Sequence, residues 1–215
     1  MKKAVICFTR VPKPGKTKTR LMPDLTGEQC AGLHWAFLQD LSKIYSSLDA
    51  DLLVAHTPDP DWEALKAVFP GAHFFPQEGT DLGAKMNHAL NLALSMGYGK
   101  CILTGSDLPL MTKEHLMSGF EALEQADVTL GPTSDGGYYL VGVKEESPFL
   151  FEKQTYGYGN VFGNTLAAAK AAGKTFSPAL PCDDVDTPED LKKLLTALHP
   201  ESHTAAYLRN LGESL

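Results

Sequence analysis

A chain of 215 residues with 43% apolar and 21% charged residues can bury one large core, and this composition excludes a disordered, collagen-like or disulfide-dense protein. No apolar run approaches the ~20 residues needed to span a bilayer, and the N-terminal apolar stretch meets charge and proline too soon for a signal peptide. The net charge of -7 argues against general nucleic-acid binding, which needs a broad basic face.

No linker or repeat divides residues 1–215, so one domain is expected, and four cysteines without metal spacing suit a reducing cytoplasm. The β-branched run Ala4-Val-Ile-Cys-Phe8 reads as a buried strand. It leads into Arg10-Val-Pro-Lys-Pro-Gly-Lys-Thr-Lys-Thr-Arg20-Leu21, where five cations occupy eleven positions of an acidic chain. This segment is nearly a P-loop: Gly15-Lys16-Thr17 is in place, but Arg10 stands where the first glycine belongs. A P-loop cradles phosphate with successive backbone N–H groups, and Pro12 and Pro14 have none. Phosphate contacts are therefore expected from the side chains of Arg10, Lys13, Lys16, Lys18 and Arg20, lysines as point charges and arginines as bidentate forks. A solvated basic turn is the alternative reading.

Thr26-Gly-Glu-Gln29 is a capping box, and apolar residues at helical spacing follow it to Leu48. Asp51 to His56 is strand-like, Trp62 to Phe69 a short helix, His73 to Phe75 a short strand, and Gly83 to Met96 a helix. Gln77, Gly79 and Gly83 punctuate the loop before that helix at a spacing that could read a nucleobase or ribose. Lys100 to Thr104 is a fourth strand, ending in Gly105-Ser-Asp-Leu-Pro109. A single carboxylate at a strand end, opposite a basic loop, suffices for Mg2+ or Mn2+ completed by water and phosphate oxygens. An Asx turn leading into the next helix explains Asp107 equally.

Thr112 caps a helix to about Ala126. Val128 to Leu130 and Tyr138 to Val141 look like paired strands, a possible antiparallel element, with Asp135-Gly-Gly137 between them. That tripeptide reads as a hairpin turn, or as a place where a ligand approaches backbone and Asp135 accepts from a hydroxyl. Asn164 to Ala172 is helical. Thr187, Pro188 and Asp190 form a helix N-terminus, which leaves Asp183, Asp184 and Asp186 without a local explanation. Asp186 could complete the metal site begun by Asp107, or belong to a solvated acidic turn. A last helix starts near Glu201. No two histidines have metal spacing, so packing or surface roles are expected for all seven. The absence of Gly-x-Ser-x-Gly and Gly-x-Gly-x-x-Gly removes a serine-hydrolase elbow and a conventional dinucleotide site. Alternating strands and helices indicate an α/β sandwich with a mostly parallel sheet, with ligands beyond its carboxyl ends.

Four motifs in order, Arg10-x-Pro-x-Pro-Gly-Lys-x-Lys-Thr-Arg-Leu21, Gly105-Ser-Asp-Leu-Pro109, Ser134-Asp-Gly-Gly-Tyr-Tyr139 and Asp184-Val-Asp-Thr-Pro-Glu-Asp-Leu191, carry a family likeness over nearly the whole chain. They resemble a bacterial family of nucleotide-diphospho-sugar transferases that is glycosyltransferase-A-like, and more distantly the guanylyltransferases of molybdenum-cofactor and deazaflavin-cofactor synthesis. The resemblance implies a three-layer α/β/α Rossmann-like fold. It also implies a nucleotide or nucleotide-sugar donor, a divalent metal with Asp107 at the ligand position, and a small-molecule acceptor. The chain departs from many such glycosyltransferases in having Ser106-Asp107-Leu108 where they carry Asp-x-Asp. Sugar transfer is the expectation from the family, nucleotidyl transfer with release of pyrophosphate is the alternative, and a non-catalytic nucleotide-binding module is a third. In either transfer Lys16 and Arg20 would stabilise the departing phosphate and Asp135 would orient or deprotonate the acceptor.

Overall fold

The computed structural model describes residues 1–152, 154–157 and 159–212. Its strands are β1 (Lys3–Thr9), β2 (Asp51–His56), β3 (His73–Pro76), β4 (Lys100–Thr104), β5 (Val128–Pro132), β6 (Tyr138–Val143) and β7 (Phe176–Pro178). They form one sheet in the order β3-β2-β1-β4-β6-β5-β7. The pairings of β1 with β2 and β4, of β2 with β3 and of β5 with β7 are parallel, while β6 runs antiparallel to both β4 and β5. The antiparallel element expected between Val128 and Val141 is thus β6, set inside an otherwise parallel sheet.

Among the described residues six α-helices accompany the sheet: α1 (Gly27–Ser46), α2 (Leu82–Ser95), α3 (Lys113–Gln125), α4 (Val161–Ala171), α5 (Pro188–Ala197) and α6 (His203–Gly212). Side chains alternate along β1 and so divide the core between the two faces. Val5 and Cys7 pack with Leu38 and Leu41 of α1 and with Leu116 and Phe120 of α3. Ala4 and Ile6 pack on the opposite side with Met86 and Leu90 of α2. This is the three-layer α/β/α sandwich. None of the described helices is long and apolar enough to cross a membrane.

A third apolar cluster lies behind α1. Leu33 and Phe37 of α1 meet Leu21 and Leu25 of the basic segment, Val185 just before α5, and Leu191 and Leu194 of α5. The basic loop and the acidic segment are therefore pinned to one helix by burial of their own leucines and valine, which is worth roughly 1.5–3 kcal/mol per fully buried side chain. α6 completes this side: the Asp40 carboxylate of α1 accepts from His203 N at 2.8 Å, Thr204 N at 2.9 Å and Thr204 Oγ1 at 2.7 Å, capping α6 from another helix.

The expected capping boxes at Thr26 and Thr187 are present. Three boundaries differ from the expectation. Trp62–Ala67 is a 3-10 helix, α4 begins at Val161 because Asn160 Oδ1 caps Gly163 N at 2.8 Å, and β7 is a strand that Phe-Ser-Pro does not announce. Cys7, Cys30, Cys101 and Cys182 are buried free thiols, and burial pushes Cys7 and Cys101 up to about 12.

In the middle of the sheet Gly142 faces Ile102 on β4 and Thr129 on β5. A Cβ there would stand 2.6 Å from Thr129 Cγ2 and 2.8 Å from Ile102 Cγ2, both branched and unable to swing away. Gly142→Ala should cost about 1–3 kcal/mol, read as a lower urea midpoint at unchanged m-value.

Candidate active site

A cavity of about 650 Å³ opens beyond the carboxyl ends of β1 and β4. Thr9 and Arg10 enter from the end of β1, Gly105, Ser106 and Asp107 from the end of β4, Lys16 to Arg20 from the basic loop, His34 from α1, and Asp186 from the segment before α5. Four of the five expected cations, all but Lys13, and both carboxylates expected to share a metal thus converge in one place.

Lys18 is at its centre. Its Nζ donates to Val185 O at 2.6 Å and to Asp186 Oδ1 at 3.0 Å, and lies 2.7 Å from Asp107 Oδ1. It also sits 5.5 Å from the Phe37 ring centroid, and its side chain is only 1% exposed. Among the described residues Lys18 is the one non-glycine with positive φ, at 50°, a conformation that costs about 1–2 kcal/mol. The ion contacts offset that strain. The backbone joins the same segments, because Val185 N donates to Asp107 O at 2.9 Å.

Burial acts to raise the Asp107 carboxyl, but the adjacent Lys18 ammonium outweighs it and holds the group below the usual carboxylate range. Its Oδ1 is buried and has no directed hydrogen bond, so the Lys18 contact is ionic, leaving lone pairs suited to a cation. One such oxygen beside a second carboxylate fits Mg2+ or Mn2+, which takes most remaining ligands from water and phosphate. Among the described residues no group of three His, Cys, Asp or Glu side chains gathers around a metal position, so no all-protein cage competes with that arrangement.

A buried polar chain braces the two loops. Thr17 Oγ1 and His34 Nδ1 are 2.6 Å apart, His34 Nε2 and Ser106 Oγ 3.1 Å, and Thr9 Oγ1 donates to Ser106 Oγ at 3.0 Å. Burial lowers His34 to about 4, so its ring is neutral at pH 7 and can donate from one nitrogen while accepting at the other. His34 therefore lines the site, where a packing or surface role was expected. A lone histidine on a helix carries no signal of this, since its partners come from two other segments.

Other expected residues are placed differently. Arg10, Lys16 and Arg20 line the cavity, Arg10 donating to Lys16 O at 3.3 Å and Arg20 lying 3.7 Å from Asp186 Oδ2. Lys13 turns away to Asp59 at 2.6 Å and Asp61 at 2.7 Å, on the loop after β2. Gln77 lines the cavity, but its amide is spent tying strands together: Nε2 donates to Thr9 O at 2.9 Å and Ala55 O at 3.0 Å. Gly79 packs on the start of α2, where a Cβ would come within 2.7 Å of Lys85 N, and Gly83 packs on Phe151, whose O would be 2.9 Å from a Cβ. Those two glycines serve close packing of backbone; Leu82 and Lys85 of α2 reach the cavity instead.

Asp135 belongs to a neighbouring pocket that shares Arg20 and Asp186 with the cavity and also holds Ser134, Asp183 and Asp184. Its Oδ1 accepts from Thr133 Oγ1 and from Gly137 N at 3.0 Å, as an Asx turn does, while Asp183 Oδ1 accepts from Ser134 N at 2.6 Å. The hairpin and ligand-facing readings of Asp135-Gly-Gly137 are compatible, since the turn itself lines the pocket.

The family model described as "Uncharacterized protein conserved in bacteria (DUF2064)" matches residues 40–158, more than half of the chain. The crystal structure of a "putative nucleotide-diphospho-sugar transferase" from Desulfovibrio desulfuricans G20 is 33% identical, covers 99% of this chain and 96% of that one, and superposes with a TM-score of 0.92. The chain belongs to this bacterial family. It is also similar to two proteins named 2-phospho-L-lactate guanylyltransferase. That of Methanothermobacter thermautotrophicus is 27% identical over 90% of this chain and 85% of its own length. That of Methanocaldococcus jannaschii is 26% identical over 91% and 84%. These relatives bear the names of transferases, and the chain is an enzyme of that class.

Burial, then the carboxylates of Asp186, Asp107 and Asp135, push Asp184 up from 3.8 to about 6 despite Lys18. A raised carboxyl binds its proton more tightly in the folded chain, so Asp184 opposes folding above its folded pKa and ceases to do so as pH falls towards its unfolded value. Asp184→Asn should raise stability near pH 7.5 by on the order of 1 kcal/mol, allowing for screening of a part-exposed group, or ~2–4 °C in Tm. The gain should shrink as the melt is repeated at falling pH.

Proposed function

We propose that the chain is a metal-dependent nucleotidyltransferase. An acceptor oxygen attacks the α-phosphorus of a nucleoside triphosphate, the bond from that phosphorus to the α–β bridging oxygen breaks, and pyrophosphate leaves with the bonding electrons. The observation that carries this reading is the convergence of Arg10, Lys16, Lys18 and Arg20 with Asp107 and Asp186 in one cavity. Two further points favour it over sugar transfer. The strand end carries one carboxylate rather than Asp-x-Asp, and the likeness to 2-phospho-L-lactate guanylyltransferases extends over about nine-tenths of this chain, at 90% and 91%. GTP is accordingly the first donor to test.

Lys16 and Arg20 face the cavity and neutralise the leaving pyrophosphate. Lys18 and Arg10 hold the donor phosphates from the floor and the β1 side. A divalent cation held by Asp107 and Asp186 would supply charge neutralisation on those phosphates and fix their orientation. The acceptor enters through the neighbouring pocket, which meets the cavity at Arg20 and Asp186. Asp135 Oδ1 is committed to its turn, and Asp184 lines the same pocket as a second carboxylate that could take the proton of an acceptor hydroxyl.

The assay offers each nucleoside triphosphate, and separately nucleotide sugars, with magnesium and a mixed set of hydroxy acids, phosphorylated hydroxy acids and sugar phosphates. Pyrophosphate release from a triphosphate is the expected result. Nucleoside diphosphate from a nucleotide sugar would instead establish sugar transfer, and saturable binding without turnover a binding module. Asp107→Ala should abolish the metal-dependent part of nucleotide affinity measured by calorimetry, and Lys16→Ala should lower kcat on the order of 100-fold.

A further inference from the structure

Lys18 stands where a divalent cation would need to be. Its ammonium is within 2.7 Å of Asp107 Oδ1 and 3.0 Å of Asp186 Oδ1, the two carboxylates assigned to the metal, and a third contact to Val185 O at 2.6 Å fixes it there. An ammonium and a divalent ion on the same oxygens would repel strongly in so buried a place. If Lys18 left without replacement, two carboxylates would lose their counter-ion, and one of them has a buried oxygen with no directed hydrogen bond. Neither change is favourable alone. Exchange becomes favourable when the ammonium has another anion to meet, and Lys18 lines the same cavity as Lys16 and Arg20, where phosphate would lie. The left-handed backbone at φ 50° adds strain that loop movement can release.

We propose that Lys18 is a latch on the metal site: without nucleotide it pairs Asp107 with Asp186 and excludes the divalent cation, and nucleotide phosphate draws it off so that the cation enters with the nucleotide. The latch rests on the assignment of Asp107 and Asp186 as metal ligands. By linkage, each ligand raises the affinity for the other by the same factor.

The test titrates Mn2+ into nucleotide-free protein, reading free Mn2+ by electron paramagnetic resonance, for the wild type, Lys18→Met and Lys18→Met with Asp107→Asn. Lys18→Met is expected to bind Mn2+ at least about tenfold more tightly than the wild type, with the gain lost in the double variant. Binding by Lys18→Met no tighter than by the wild type overturns the latch and leaves the metal assignment standing. A gain that survives Asp107→Asn overturns the metal assignment itself, and the latch with it. Should Lys18→Met fail to fold, wild-type crystals decide the matter. An anomalous Mn2+ peak between Asp107 and Asp186 without nucleotide overturns the latch. A peak that forms there only with a non-hydrolysable GTP analogue, with Lys18 Nζ moved to the phosphates, supports it.

Discussion

The ammonium of Lys18, buried against two carboxylates and a carbonyl, is the contact on which the site depends. It joins the loop after β1, the end of β4 and the segment before α5, three stretches far apart in sequence. Burying a charge is costly unless it is paired and hydrogen-bonded, and here the charges that offset the cost are those a substrate complex would use. On the proposed function, stability and substrate binding draw on the same few atoms. The apolar cluster of Leu21, Leu25, Val185 and Leu191 beneath supports this geometry, since it holds both backbones by contacts that do not involve the charges.

The sheet supplies the rest of the positioning. Parallel β1, β2, β3 and β4 end on one edge, so loops that are distant in the chain become neighbours, and buried hydroxyls and a neutral imidazole brace them. A neutral His34 suits this role. A charged ring there would compete with Lys18 for Asp107, 3.6 Å away.

Much of this was legible in the sequence. The strand runs and capping boxes lie where pattern places them because apolar periodicity and cap chemistry are local. The positions of Asp107 and Asp186 at the cavity were legible too, since both fall at a predicted sheet edge, although an Asx turn explained Asp107 equally. Lys18 could be counted as a cation but not as a buried one, because its burial is decided by Leu21, Phe37 and Val185 from elsewhere. Lys13 was misplaced for the same reason: Asp59 and Asp61 reach it only after folding. At Gly79 and Gly83 the absence of a Cβ signalled close approach, but sequence does not say whether a ligand or a neighbouring helix is what approaches. His34 had partners with no periodic signature at all.

Strand β6, which runs against β4 and β5, has a consequence of its own. A reversed strand removes the need for a crossover helix at that point, and the short turn from Pro132 to Tyr138 falls on the same edge as the end of β4. That turn is held by its two strands, by Ser134 N donating to Asp183 Oδ1 and by Phe162 N donating to Gly136 O, whereas the basic loop is anchored through α1 and the leucine cluster. Substitutions at residues 133–137 therefore alter one wall of the neighbouring pocket, and they reach the Lys18 junction through the Ser134–Asp183 hydrogen bond rather than through the basic loop. On the proposed function, the hairpin turn is the wall that faces the acceptor and the leucine-anchored loop the one that faces the donor, so variation in the turn would bear first on acceptor choice.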